Sequence, residues 1–310
     1  MPRAYEPART HPRHPDLHQT VTDRIIADLE TGVRPWTRPW DNGGTGVRPL
    51  RHDGQPYHGV NVLTLWAEAA LRGYTRPRWM TFRQALALGG SVRKGEKGVQ
   101  IVYANRLVSA DPDTDAAPAP DTDSTLRARG FSILKSYTVF NLDQIDGLAD
   151  RYPTTGSVIL DPALRVARAD AFFASTGAVI AHGGDQAFYA PGPDRIQMPA
   201  FASFRDVGGY YATLAHEMTH WTGHPNRLDR SFGAGRFGDE AYAREELVAE
   251  LGAAFLCADL GLTVEPRSDH AAYLASWLRV LRADKRFIFT AAAHAERAVA
   301  WLHDRQPPAD

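Results

Sequence analysis

Apolar residues recur with helical spacing in several stretches of the chain and alternate with polar residues in others. One helix is predicted to end near residue 32, and further amphipathic helices are predicted at 61–72, 161–175, 207–222, 239–260, 268–282 and 284–304. Strands are predicted at 99–108, 131–140, 179–181, 186–190 and 195–198. This pattern predicts an α+β fold, with a small antiparallel sheet packed by helices in its second half.

The length of the chain predicts two domains, because 310 residues exceed the usual size of a single core. The boundary is predicted near 146–156, which gives domains 1–150 and 151–310. The stretch 109–127 is dominated by Asp, Pro, Ala and Thr and is predicted to be a disordered insertion in a hairpin. We expect no signal peptide or membrane span, and the single Cys257 suits a reducing compartment, so a cytoplasmic location is predicted.

Charge is distributed unevenly along the chain. Residues 1–108 contain 16 Lys and Arg against 9 Asp and Glu, a net charge of +7, whereas the remainder carries 19 against 27, a net charge of −8. Four of the seven tryptophans also lie in the first part. Aromatic rings beside basic side chains are what single-stranded nucleic acid binding requires.

Two segments of the basic part are predicted to be exposed loops that contact single-stranded DNA. The first is the Pro-rich stretch 34–40, which cannot be helical and offers Arg34, Trp36, Arg38 and Trp40. The second is a glycine-bounded turn that offers Arg93, Lys94 and Lys97. Trp66, by contrast, has helical spacing with apolar neighbours and is predicted to lie in the core.

The run His216-Glu217-Met218-Thr219-His220 has the H-E-x-x-H spacing. On a helix this spacing places two imidazoles on the same face one turn apart, where they can bind a metal ion together. Glu217 then lies where a general base for water is needed in metal-assisted hydrolysis. The amphipathic pattern of 207–222 supports the helix, and Gly223 and Pro225 are predicted to end it.

A third metal ligand is required, and the sequence offers two sources. One class of zincin uses a His beyond a glycine, but Asn226 occupies that position here, and helical geometry is doubtful at His224. The other class uses a Glu from a second helix. The predicted helix 239–260 carries three glutamates in its first half: Glu245, Glu246 and Glu250.

Glu246 and Glu250 share one face of the second helix beside its apolar stripe. Glu246 is therefore predicted to be the third ligand. Glu250 is predicted either to accept a hydrogen bond from a ligand imidazole or to serve as the reserve ligand. Glu245 is predicted to be the most solvent-exposed of the three.

Two further expectations concern substrate and transition state. The strand 194–198 is predicted to bind an extended peptide by edge pairing. Four residues near the motif are candidate stabilisers of an oxyanion, and the sequence does not choose among them: Tyr210, Tyr211, His224 and Arg227.

The chain resembles the ArdC-type antirestriction proteins of conjugative plasmids and related mobile elements over nearly all of its length. The stretches that carry the resemblance in the first half are 25–30, Pro35-Trp36 to Pro39-Trp40, 57–63, 79–85 and 92–98. In the second half they are 194–199, 210–217, 220–224 and 244–251. The acidic insertion departs from what we expect of that family.

The resemblance implies a single-stranded DNA binding domain followed by a zincin-like metallopeptidase domain, together protecting incoming DNA from restriction. Zinc is the expected metal, with manganese as the alternative, since imidazole and carboxylate ligands accept both. The protein or peptide substrate is unknown. Two other functions stay open: a DNA-activated metalloprotease that cleaves a repressor or a DNA-bound protein, and a DNA-binding module whose metal is purely structural.

Overall fold

The computed structural model describes residues 16–308 except 33, 35, 37–46, 108–130, 154–161, 234–238 and 263–270. The predicted insertion 109–127, Arg38 and Trp40 lie outside the described residues. The helices are α1 (Leu17–Glu30), α2 (Val60–Arg72), α3 (Phe82–Ala87), α4 (Pro162–Ser175), α5 (Val207–Thr222), α6 (Glu240–Leu260), α7 (Ala271–Ala283) and α8 (Phe287–His303). The strands are β1 (Trp79–Thr81), β2 (Ser91–Val92), β3 (Val99–Leu107), β4 (Phe131–Asn141), β5 (Ile145–Asp146), β6 (Val179–His182), β7 (Phe188–Ala190) and β8 (Arg195–Met198).

The front half contains a three-stranded antiparallel sheet in the order β1-β4-β3. Strands β3 and β4 pair along their whole length, from Val99 with Val139 to Leu107 with Phe131, as the alternating pattern predicts. Helix α2 packs on this sheet through Leu65. Strands β2 and β5 form a separate antiparallel pair.

The back half contains a second small sheet, in the order β6-β8-β7, against helix α5. Strand β7 runs antiparallel to β8, and β6 runs parallel to it. Strand β8 is therefore central, so the expectation that 194–198 offers a free edge to a peptide is wrong. Strands β6 and β7 are the two outer strands of this sheet within the described residues, and β7 contacts α5.

One buried hydrophobic cluster contains side chains from both halves of the chain. Ile25 of α1 and Val62 of α2 belong to the same cluster as Phe255 of α6 and Ile288 of α8. Trp66 is buried in it, as predicted. Helix α1 contacts α7, and α2 contacts α8. The two halves thus share a core in the described residues, and the boundary near residue 150 stays a prediction.

Two helices of the back half have defined ends that explain their lengths. Asp206 caps α5 by accepting a hydrogen bond from the backbone N–H of Gly209 at 2.7 Å. Asp239 caps α6 in the same way, from Tyr242. Helix α6 ends at Gly261, whose φ of 68° is the left-handed conformation that glycine adopts without strain. None of the described helices combines the length and the apolar character of a membrane span.

Candidate metal centre

The two histidines of the H-E-x-x-H run lie on one face of α5, four residues apart. Their Nε2 atoms are 3.1 Å apart. Both side chains are largely buried, His216 with 11% and His220 with 15% of the side chain exposed. The helix therefore presents two imidazole nitrogens to one point, as the spacing predicts.

Glu246 of α6 completes a triangle of donor atoms. Its Oε2 lies 3.4 Å from Nε2 of His216, and its Oε1 lies 3.5 Å from Nε2 of His220. Ligand atoms around a tetrahedral divalent ion, at bond lengths of roughly 2.0–2.1 Å, are separated by about 3.3 Å. The donor types and their separations therefore fit a divalent metal ion. The structure brings the three predicted ligands together, and their role as ligands stays a prediction.

A glycine allows α5 and α6 to approach closely enough for this triangle to form. A Cβ on Gly252 would lie 2.5 Å from Oγ1 and 2.6 Å from Cγ2 of Thr219 on α5. Thr219 is fully buried, and its hydroxyl donates to the carbonyl oxygen of Ala215 at 2.8 Å. Only a residue without a side chain fits opposite Thr219 at this spacing.

Glu217 is held at the edge of the second sheet. The backbone N–H of Tyr189, in β7, donates a hydrogen bond to Oε2 of Glu217 at 2.9 Å. Tyr189 is fixed in turn, because its hydroxyl donates to Asp194, which pairs with Arg227. Glu217 is thus ordered beside the donor triangle, with one carboxylate oxygen engaged by the strand.

Glu245 is the most exposed of the three glutamates, as expected, with 26% of its side chain exposed against 9% for Glu246 and 10% for Glu250, but it is not a free surface charge. Its Oε1 lies 3.1 Å from Nδ1 of His220, and its two oxygens accept hydrogen bonds from the guanidinium of Arg230 at 2.6 and 2.9 Å. Arg230 is almost fully buried, with 1% of its side chain exposed. The carboxylate that is hydrogen-bonded to a predicted ligand imidazole is therefore Glu245. The i, i+4 pattern on α6 did not identify Glu245, because its position is fixed by Arg230, which comes from the loop after α5.

Glu250 lies near His216, as expected, but its hydrogen bonds go elsewhere. Its Oε2 is 3.8 Å from Nδ1 of His216, which exceeds hydrogen-bonding distance. Its Oε1 accepts hydrogen bonds from Arg34 at 3.1 Å and from Nε1 of Trp36 at 3.3 Å. Glu250 thus joins the donor triangle to the front half of the chain.

The prediction that Arg34 and Trp36 lie in an exposed loop is wrong. Arg34 is 7% and Trp36 3% exposed, because the carboxylate of Glu250 attracts both donors and the indole packs edge-on against Trp277 at 5.9 Å. Neither Arg34 nor Trp36 is helical, as the prolines in the sequence around them predict. A proline-rich pattern predicts an extended segment, but it does not predict whether the rest of the protein buries that segment.

The charges of the site reinforce one another. Burial disfavours the imidazolium of His220, but Glu245 and Glu246 outweigh burial and raise its pKa to about 10. Burial likewise opposes ionisation of Glu246, yet the two histidines hold its pKa well below the usual range. The site therefore concentrates negative charge around two imidazoles and favours a cation there.

The triangle opens onto a cavity of about 590 Å³. Its walls include Phe188 of β7, His224, and the side chains of Tyr242, Tyr273 and Trp277. The hydroxyls of Tyr242 and Tyr273 are 3.3 Å apart, and burial, the partner hydroxyl and nearby Glu246 raise the pKa of Tyr242. Sequence reasoning missed this pair, although Tyr242 lies one helical turn before Glu246 on α6.

Of the four candidate oxyanion stabilisers predicted from the sequence, the structure places one at the cavity and gives the other three partners elsewhere. His224 lines the cavity. Tyr211 donates from its hydroxyl to Asp170 at 2.6 Å, and the hydroxyl of Tyr210 pairs with His182 at 2.9 Å. Arg227 is engaged by Asp194. Tyr210, Tyr211 and Arg227 therefore have structural partners away from the cavity.

The second predicted DNA loop is exposed. Arg93, Lys94 and Lys97 all lie on the surface between β2 and β3. Arg93 donates to Glu96 and to the carbonyl oxygen of Asp143 at 2.9 and 2.6 Å. The turn is therefore anchored through Arg93, while the two lysines reach into solvent.

Comparison with known proteins covers both halves. Residues 15–140 match the family described as the N-terminal domain of anti-restriction factor ArdC, and residues 167–294 match the family described as zincin-like metallopeptidase. Fold and site thus define a protein that joins an ArdC-type N-terminal domain to a zincin-like domain. The chain belongs to the ArdC antirestriction family.

The similar proteins extend over nearly the whole chain. The chain is 45% identical to the antirestriction ArdC protein from the R388 plasmid, with TM-scores of 0.75 for the metal-free structure and 0.74 for the Mn(II)-bound structure. These alignments cover 94% and 95% of this chain and 98% and 100% of the plasmid protein. The chain is also 44% identical to uncharacterized protein y4eC of Sinorhizobium fredii, over 97% of this chain and 96% of that protein. DNA primase TraC of Escherichia coli is 41% identical over 91% of this chain, which matches 26% of its own length.

Proposed function

We propose that this protein is a metal-dependent peptidase that binds single-stranded DNA and acts in antirestriction. The observation that carries the proposal is the triangle of His216, His220 and Glu246, whose donor atoms all lie within 4.8 Å of one another beside Glu217. Its opening onto a cavity favours catalysis over a purely structural metal, since structural sites are closed by four protein ligands.

Zinc or manganese would be held by the two Nε2 atoms and the Glu246 carboxylate. A bound ion of this kind supplies Lewis-acid polarisation of a carbonyl and lowers the pKa of water. The Mn(II)-bound structure of the plasmid relative supports manganese as well as zinc for this donor set.

Glu217 is the general base of the proposed reaction. It takes a proton from water as the water oxygen bonds to the scissile carbonyl carbon, and it returns that proton to the leaving amine as the C–N bond breaks. The hydrogen bond from Tyr189 fixes Oε2 and leaves Oε1 to exchange the proton. Tyr242 and Tyr273 are the proposed hydroxyl donors to the developing oxyanion, because both line the cavity.

The substrate is proposed to be an extended peptide bound along β7. This strand pairs with β8 through one edge, and the N–H of Tyr189 points away from β8 to Glu217. Peptides often bind such an outer edge by adding a strand. Phe188, 43% exposed at the cavity wall, offers an apolar contact to a substrate side chain.

Single-stranded DNA is proposed to bind the front half through Lys94, Lys97 and one face of the β3-β4 pair. Tyr103 is opposite Lys135, and Tyr137 lies two residues further along β4, so the three side chains share a face. Tyr103 is 58% and Tyr137 46% exposed. Exposed rings beside lysines provide stacking and phosphate neutralisation. We also propose that Arg38 and Trp40 contact the DNA and that the DNA-binding domain ends near residue 150. The protein is proposed to act in the cytoplasm.

The proposal is tested with the full chain loaded with zinc or manganese and incubated with an unfolded protein such as reduced casein, with and without single-stranded DNA. We expect cleavage that Glu217→Gln lowers by at least about 100-fold without loss of bound metal. Glu240→Gln, the same change at an exposed position of α6, should cleave like the wild type. Cleavage retained by Glu217→Gln would overturn the mechanism, and stimulation by DNA would favour the DNA-activated protease.

A further inference from the structure

Glu250 is a buried carboxylate of the back half whose hydrogen-bond donors come from the front half. The Glu250 side chain is 10% exposed, and that of Arg34 is 7% exposed. Arg34 and Trp36 both donate to the same oxygen, Oε1, at 3.1 and 3.3 Å. The contacts join residues more than 200 positions apart, so this carboxylate is oriented by tertiary structure and not by its own helix.

The other oxygen of Glu250 faces a proposed metal ligand. Oε2 lies 3.8 Å from Nδ1 of His216. That nitrogen is buried and has no hydrogen-bond partner among the residues that the structure describes. A neutral imidazole that offers Nε2 to a metal carries its proton on Nδ1, and the proton needs an acceptor. Oε2 of Glu250 faces this nitrogen from beyond hydrogen-bonding distance, and a small approach would let Glu250 accept the proton.

We propose that Arg34 and Trp36 are positioning residues of the metal centre, which hold Glu250 so that its Oε2 faces His216. The inference rests on the proposed metal site and adds that the front half completes it. Without the two donors, Oε1 would be a buried charge without its partners, which is costly, and the carboxylate would turn away from His216.

Trp36 also forms part of the wall behind the site. Its ring packs edge-on against Trp277, which lines the cavity. Trp36→Phe keeps most of this ring contact and removes only the Nε1–H donor, so it isolates the hydrogen bond from the packing. Arg34→Lys keeps the positive charge beside Glu250 and is the conservative comparison for Arg34→Gln.

The test measures the affinity of the full chain for Zn²⁺ and Mn²⁺ by competition with a chelator. We expect Arg34→Gln and Trp36→Phe each to weaken affinity, with the double variant about 10- to 100-fold weaker than the wild type. Arg34→Lys should recover part of the loss. In a Glu250→Gln background, Arg34→Gln should cause no further loss, because its effect acts through that carboxylate.

Arg48→Gln is the matched control. Arg48 is also buried and also joins the halves, through Glu296 and Asp259 at 2.7 Å each, but these partners are not in the donor triangle. The Arg48→Gln substitution should lower the thermal unfolding temperature and leave metal affinity unchanged.

Two results would overturn the inference: wild-type metal affinity in Arg34→Gln and Trp36→Phe, or an equal loss of metal affinity in Arg48→Gln. A wild-type chain that binds neither metal would instead overturn the proposed function itself. If Arg34→Gln does not fold, the metal affinity of Trp36→Phe alone tests the inference.

Discussion

Nδ1 of His220 lies 3.1 Å from Oε1 of Glu245, and the guanidinium of Arg230 donates hydrogen bonds to both oxygens of the same carboxylate. His216 and His220 therefore face different carboxylates, from positions five residues apart on α6. Glu245 is hydrogen-bonded to His220, whereas Glu250 lies 3.8 Å from His216 and is held by Arg34 and Trp36 of the front half.

Glu245→Gln is expected to weaken metal affinity by about 10-fold or more, because an amide oxygen is a poorer acceptor for the Nδ1 proton of His220 and a weaker partner for Arg230. Chelator competition with the full chain measures it. Glu240→Gln, at the start of the same helix, removes a surface pair with Arg244 and should bind metal like the wild type. Equal affinities for all three proteins would mean that Glu245 does not support the site.

Gly252→Ala is expected to destabilise the protein and weaken metal binding. The added Cβ would lie 2.5 Å from Oγ1 of Thr219, and overpacking of this kind costs about 1–3 kcal/mol. The helical preference of alanine returns about 1 kcal/mol, so the net loss in free energy of unfolding is at most about 2 kcal/mol. Urea unfolding measures it.

Thr219→Ala in the same chain removes Oγ1 and Cγ2, the two atoms closest to the added Cβ, and keeps the Cβ of residue 219 at 3.1 Å, so the double variant should recover part of the stability and metal affinity lost in Gly252→Ala. Gly192 has open space around it, and Gly192→Ala serves as the control. A Gly252→Ala protein with wild-type metal affinity would show that the separation of α5 and α6 does not govern the donor triangle.

The helices and the donor triangle could be predicted because their signals are local. The spacing of His216 and His220 and the shared face of Glu246 and Glu250 follow from helical geometry alone. Arg230 and Trp36 could not be placed, since each meets its glutamate through a loop whose path depends on the whole fold. The central position of β8 was missed for the same reason, because the alternation of apolar and polar residues along a strand does not show which strands lie beside it.

Glu296 should make stability depend on pH. Burial opposes its ionisation, but His58, Arg48 and the backbone N–H of Gly59 outweigh burial and lower its pKa from 4.5 to about 2. Arg48 is shared with Asp259. A lowered pKa means that the stabilisation is fully present above pH 4.5 and is lost as the pH falls toward about 2. The shift corresponds to roughly 3 kcal/mol above that window.

The measurement is the free energy of unfolding in urea, from pH 7 to pH 3, for the wild type and Glu296→Gln. The wild type should be more stable at pH 7, and the difference between the two proteins should shrink below pH 4.5. Glu30→Gln, which removes an exposed pair with Arg282, should shift stability little at any pH. A difference that stays constant from pH 7 to pH 3 would contradict the assigned pKa.

Lys94→Gln with Lys97→Gln is expected to weaken single-stranded DNA binding, because both lysines are exposed on the turn that leads into β3. Each lost phosphate contact should lower the slope of log affinity against log salt by about 0.7. Fluorescence anisotropy over a salt series measures both effects. Trp36→Phe should bind DNA like the wild type, since its buried indole is committed to Glu250.

The control for charge is Arg168→Gln with Arg205→Gln, two exposed arginines of the back half, which removes the same two charges away from the proposed surface. If that protein loses as much affinity as the lysine variant, binding follows net charge and the surface is misassigned. If Trp36→Phe alone abolishes binding, the indole reaches DNA and the burial of Arg34 and Trp36 does not describe the DNA-bound protein. Loss confined to the lysine variant, together with the smaller salt slope, would place the DNA on the β2-β3 turn and separate it from the segment that supports the metal centre.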